Sequence, residues 1–141
     1  IYSTVLGSLA DSNMLPIDQN TALFFRRYVI DEGYGGMAFE KEGERCASLL
    51  NDPEIKVMIM GNHGVLIIGE NVADTFNRLY YFERAAETYI KALWTGKKLR
   101  VLSDEIAEKT AGQWAAFSES SQIFFEDLKA ILDEEEPSYR L

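Results

Sequence analysis

The first apolar positions of the chain fall at Tyr2, Val5, Leu6 and Leu9. That is the spacing of one helical face, and it predicts a helix from Tyr2 to Ala10, stopped by the turn formers Asp11, Ser12 and Asn13. Pro16 and Asp18 open a second short helical turn through Leu23, and Arg27 to Ile30 reads as a brief strand ending at the loop Gly33-Tyr34-Gly35-Gly36. A third helix is expected from about Phe39 to Leu50, burying Phe39, Cys46, Leu49 and Leu50 and exposing Glu40, Lys41, Glu44 and Arg45. Asn51, Asp52 and Pro53 close it.

The pattern then changes period. Glu54 to Met60 and Val65 to Ile68 are apolar runs of strand length, rich in β-branched residues, and Gly61 to Gly64 between them suit a hairpin connection. Neither run alternates near its centre, which predicts strands covered on both faces by helical layers. A long helix follows, capped at Glu70 or Asn71 and closed by Gly96. Its expected core stripe is Val72, Phe76, Leu79, Glu83, Ala86, Ile90 and Leu93. Two further helices finish the pattern, from Ser103 to about Phe117 and from about Ser120 to Asp133. The run Asp133 to Glu136 places negative charge at a helix C-terminus, where it is unfavourable, and is expected to fray into solvent or meet a basic patch on a neighbour.

These elements make an α/β domain with few strands. The expectation is one domain over 1–141, incomplete at its N-terminal side and ending in a helical extension from about 103 to 141. The chain opens on Ile1 with no signal-peptide start, so upstream residues are expected to exist.

Composition narrows the function. With 141 residues, 14 Lys plus Arg against 23 Asp plus Glu, and a formal net charge of −9, the chain repels phosphate backbones and anionic lipid. No nucleic-acid partner and no membrane partner are expected. The apolar runs fall far short of the roughly 20 residues a spanning helix needs. One cysteine, Cys46, forms no internal disulfide, which fits a reducing compartment, the cytoplasm.

Four residues stand out. His63, the only histidine, sits in a Gly-Asn-His-Gly turn between two strands, where an imidazole is either held at the rim of a rigid sheet or simply turned to water. Tyr34 lies among glycines, where a phenol could donate a proton or serve packing. Glu83 interrupts an apolar stripe, and a buried carboxylate must be paired. Arg78 and Arg84 are not on its face, so either a partner distant in sequence meets it or it takes an ordinary, partly exposed edge position. Cys46 reads as a small core hydrophobe.

The segment MGNHGVLIIGENVADTFNRLYYFERAAETYIKAL, residues 60–93, resembles the signature of the class II aldolase and adducin family. IYSTVLGSLADSNMLPIDQN, EGYGGMAF and VLSDEIAEKTAGQW resemble flanking segments of the same family, so the likeness runs through essentially the whole chain. It implies a three-layer α/β/α fold around a central, mainly antiparallel sheet whose N-terminal strands this chain lacks. It also implies a zinc-dependent lyase or epimerase acting on a small hydroxy-carbonyl or sugar-phosphate compound. In such members Zn2+ is bound by a His-x-His pair and by the histidine of the Asn-His-Gly turn, which matches His63. Three protein ligands leave an open position at which the metal polarises a substrate carbonyl. The His-x-His pair and the acid/base glutamate are absent here, so this chain alone is expected to be inactive, with Tyr34 the one catalytic candidate. The resemblance further implies a homo-oligomer, a tetramer in the aldolase members, with Tyr139 and Arg140 near a neighbouring subunit. The alternative it carries is a metal-free, adducin-like assembly module.

Overall fold

A computed structural model describes residues 1–33, 35–36, 41–116 and 119–140, with Glu119 described by its backbone. Its helices are α1 (Tyr2–Gly7), α2 (Gln19–Leu23), α3 (Glu42–Leu49), α4 (Val72–Trp94), α5 (Asp104–Ala115) and α6 (Glu119–Glu135), and its strands are β1 (Tyr28–Asp31), β2 (Val57–Met60) and β3 (Gly64–Ile67). A 3-10 turn at Pro137–Arg140 follows α6. The fold is mixed α/β. Predicted Tyr34, Phe39 and Glu40 lie outside the described residues.

The described strands form one sheet in the order β1-β2-β3. β2 and β3 are the expected antiparallel hairpin, pairing Val57 with Ile67 and Met60 with Gly64. β1 lies parallel to β2, pairing Tyr28 with Val57 and Asp31 with Met60. A parallel pair needs a crossover, and the segment containing α3 supplies it. On β2, Val57 and Ile59 face the main core while Met58, pointing the opposite way, is also fully buried. The central strand is thus covered on both faces, as its unbroken apolar run requires. β3 is half-buried throughout.

Helices start where side chains satisfy the first backbone donors. Asp18 and Thr21 form a reciprocal capping box at α2. Asn71 caps α4 by accepting from the Asp74 N–H at 2.9 Å, and the Asp74 carboxylate accepts from the Glu70 N–H at 3.0 Å. Ser103 caps α5. No described helix is long and apolar enough to cross a membrane.

The core face of α4 differs from the expected stripe. Ala73, Asn77, Phe82, Ala85, Ala86, Tyr89 and Ile90 are buried, whereas Val72, Phe76, Leu79 and Leu93 are exposed. The helix carries apolar residues on more than one face, and the 4-3 spacing tracked a seam between them. The sheet and α1 take the face centred on Phe82 and Ala86, and Phe82 meets Phe24 edge-on at 5.0 Å. The other face receives α6, with Phe76 lying 5.6 Å from Phe125 and Tyr80 lying 5.3 Å from Phe124.

The acidic end of α6 also departs from expectation. The helix continues through Glu135, and the chain folds back so that the Tyr139 hydroxyl donates to Asp133 and the Arg140 guanidinium pairs with it. The basic partner comes from the same chain.

The two faces of α4 can be told apart by stability. Phe82→Ala should cost about 3–5 kcal/mol in urea unfolding, whereas Leu79→Ala should cost about 1 kcal/mol or less. Equal losses would return Leu79 to the core.

Candidate functional site

β1 and β2 run parallel and end side by side, and the turn between β2 and β3 closes over that end. The carboxyl ends of strands are where α/β sheets place ligands. Two hydrogen bonds tie the turn down. The Gly61 N–H donates to the Asp31 carbonyl at 2.8 Å, and the Asn62 N–H donates to the Gly7 carbonyl at the end of α1 at 2.9 Å. The His63 N–H closes the turn onto the Met60 carbonyl at 3.0 Å.

The local sequence follows from this crowding. A Cβ at Gly7 would come within 3.2 Å of the Met60 carbonyl oxygen, and one at Gly61 within 3.1 Å of the Asp31 carbonyl oxygen. Asn62 takes φ 58°, the left-handed region that asparagine tolerates better than most residues. His63 follows it, exposed on a backbone locked from two sides.

α1 is itself anchored from α4. The Glu83 carboxylate gathers the Ile1 nitrogen at 2.5 Å, the Tyr2 N–H, and the Ser3 N–H at 3.0 Å. These groups have no acceptor inside the helix. Burial works to raise the Glu83 pKa, but the hydrogen bonds from the Ile1 nitrogen, Ser3 and Tyr2 outweigh it and hold the group at about 2. The distant partner of Glu83 is therefore the first turn of α1.

A second cluster sits where β1 ends. Arg45 on α3 grips Asp31 with both terminal nitrogens, at 2.5 and 2.7 Å, and reaches Glu42 at 2.5 and 3.0 Å. Asp31 also accepts from the Gly33 N–H at 2.9 Å, fixing the start of the glycine loop. The Arg45 hydrogen bonds hold both carboxyls below their usual range. Cys46 is buried, and burial pushes its thiol up, so it is a core residue and not a nucleophile.

Ligand atoms of Asp31, Glu42 and Cys46 lie within 4.8 Å of one another. Arg45 already supplies their counter-charge, so a metal ion could join them only if the guanidinium left. His63 is exposed on a fixed backbone, and imidazole is a common metal ligand. Among the described residues it is not part of any group of three potential ligands. Tyr34, the other predicted site residue, lies outside the described residues. The Asp31–Arg45 clamp escaped the sequence reading. Its signals were an aspartate ending an apolar strand and Glu42, Arg45 and Cys46 spaced on one helical face.

Comparison with known proteins agrees with this architecture. The family model described as Class II Aldolase and Adducin N-terminal domain matches residues 1–90. A Pseudomonas aeruginosa protein named for aldolase class 2 is 27% identical over 138 residues, covering 94% of this chain and 52% of the relative. Human gamma-adducin is 30% identical over 97 residues, covering 66% of this chain and 14% of the adducin. Among solved structures, an aldolase II superfamily protein from Pseudomonas syringae superposes with a TM-score of 0.87 at 28% identity, covering 99% of this chain and 56% of that one. L-fuculose 1-phosphate aldolase from Glaciozyma antarctica PI12 superposes with a TM-score of 0.74 at 18% identity, covering 96% and 51%, and shares the fold. The chain spans about half the length of the first relative and of both structures.

The depressed Glu83 pKa sets the sign of a pH effect. Its contribution is fully present above the ordinary glutamate value of 4.5 and is lost as pH falls through about 2. Glu83→Gln should therefore destabilise the chain by about 1–2 kcal/mol near neutral pH. The gap from wild type should close between pH 4.5 and 2. Urea unfolding across that range measures it.

Proposed function

Because this chain belongs to the class II aldolase and adducin family, we propose that the intact protein is a metal-dependent lyase or epimerase for a small hydroxy-carbonyl or sugar-phosphate compound. The observation that carries this reading is the His63 turn. Its backbone is held by Asp31 and Gly7, at the carboxyl end of a parallel strand pair, with the imidazole residue exposed. The metal, zinc or another divalent cation, would polarise a substrate carbonyl. His63 would supply one ligand, and the fixed turn would limit the reorganisation needed to bind. The remaining ligands and the acid/base group would come from outside residues 1–141, so this chain by itself would be inactive. Tyr34 is the proton-donor candidate, on a loop that begins at the Asp31-bound Gly33.

The likeness to gamma-adducin favours a second reading, a metal-free assembly module that keeps the fold. Metal content separates the two. Isolated at its natural length, the protein is expected to carry about one zinc per subunit. His63→Ala should lose most of that metal and cut activity at least ~100-fold, with its melting temperature little changed. Absence of metal from wild type, together with a His63→Ala variant indistinguishable from it, supports the assembly reading.

A further inference from the structure

Asn77 is the anomaly on the buried face of α4. It is 6% exposed, yet among the described residues its side chain makes no hydrogen bond. A polar side chain this deep and unpaired leaves its amide to whatever fills the space beside it, and native structures rarely keep such a group without a water or ligand to satisfy it. Asn77 lines an open cavity of about 590 Å³ bounded by α2, α4, α5 and α6.

The walls of this cavity are aromatic and its polar groups are neutral. Trp114 is fixed against Phe24 at 5.3 Å and Tyr81 at 6.2 Å, and the Arg78 guanidinium lies 5.5 Å from its ring centroid. Phe124 is held by Tyr80 and Phe76. Around these rings stand the amides of Gln19, Asn20 and Gln113, which also make no side-chain hydrogen bond among the described residues. Among the described residues, no charged side chain lines the cavity and none of the lining residues belongs to the His63 turn.

We propose that this cavity is a second ligand site, distinct from the His63 turn, which takes a small neutral polyhydroxy compound such as a free sugar or polyol. Amides offer paired donors and acceptors to vicinal hydroxyls, and flat rings accept the apolar faces of such molecules. Pre-fixed walls reduce the ordering cost of binding. A phosphorylated compound is disfavoured, because no described lining residue carries a cation to offset its charge.

The test is ligand-observed NMR titration of the protein at its natural length with glucose, xylitol and glucose 6-phosphate. Glucose or xylitol should bind saturably, at least tenfold more weakly in Asn77→Leu and severalfold more weakly in Gln113→Ala, an exposed position that spares the fold. His63→Ala should leave the affinity unchanged. Asn77→Leu should melt no lower than wild type, since it removes an amide that the protein does not pair. The proposal is overturned by non-saturable binding, by unchanged affinity in both cavity variants, by a preference for glucose 6-phosphate, or by a large fall in the Asn77→Leu melting temperature.

Discussion

The backbone donors that open α1 have no helical acceptors, and a single carboxylate, Glu83, answers them from the middle of α4. Much of the site geometry depends on that contact. Glu83 cannot drift, because Phe82, Ala85, Ala86 and Ile90 around it are packed into the core. α1 is therefore held at its start, and its far end presents the Gly7 carbonyl to Asn62. With Gly61 bonded to the end of β1, the turn that carries His63 is fixed by two separate elements, β1 and α1. A six-residue helix, too short to persist by itself, thereby becomes a strut between the long helix and the sheet rim.

Charge is distributed in the same spirit. The chain is strongly acidic, yet carboxylates near the core are matched to arginines: Asp31 and Glu42 to Arg45, Asp74 to Arg78, Glu108 to Arg27. Such pairs fix geometry more than they add stability. Arg45 joins the end of β1 to α3, and Asp31 in turn holds the Gly33 N–H at the start of the glycine loop. Arg45 also already supplies the counter-charge for Asp31 and Glu42 that a cation bound there would have to replace.

Where the sequence was legible, one local rule dominated. The hairpin, the Asn71 and Ser103 caps and the short turn at Asp18 follow from spacing and side-chain chemistry within a few residues. For Glu83 the sequence offered both a distant partner and a partly exposed edge position, and the carboxylate has something of each, bonded to α1 yet 30% exposed. The face of α4 was not, because Phe76 and Tyr80 are apolar for the sake of α6 while Phe82 and Ala86 are apolar for the sheet. A periodicity that sums two partners points between them. The parallel register of β1 and the Arg45 clamp were hidden for a related reason: each joins residues whose proximity is created by the crossover.

Hydrogen exchange at the Asn62 amide tests the strut most directly. If Glu83 positions the His63 turn through α1, Glu83→Gln will lose protection at Asn62 and along α1 while the β2–β3 ladder amides keep theirs. Unchanged protection at Asn62, or an equal loss at every amide, would contradict the account.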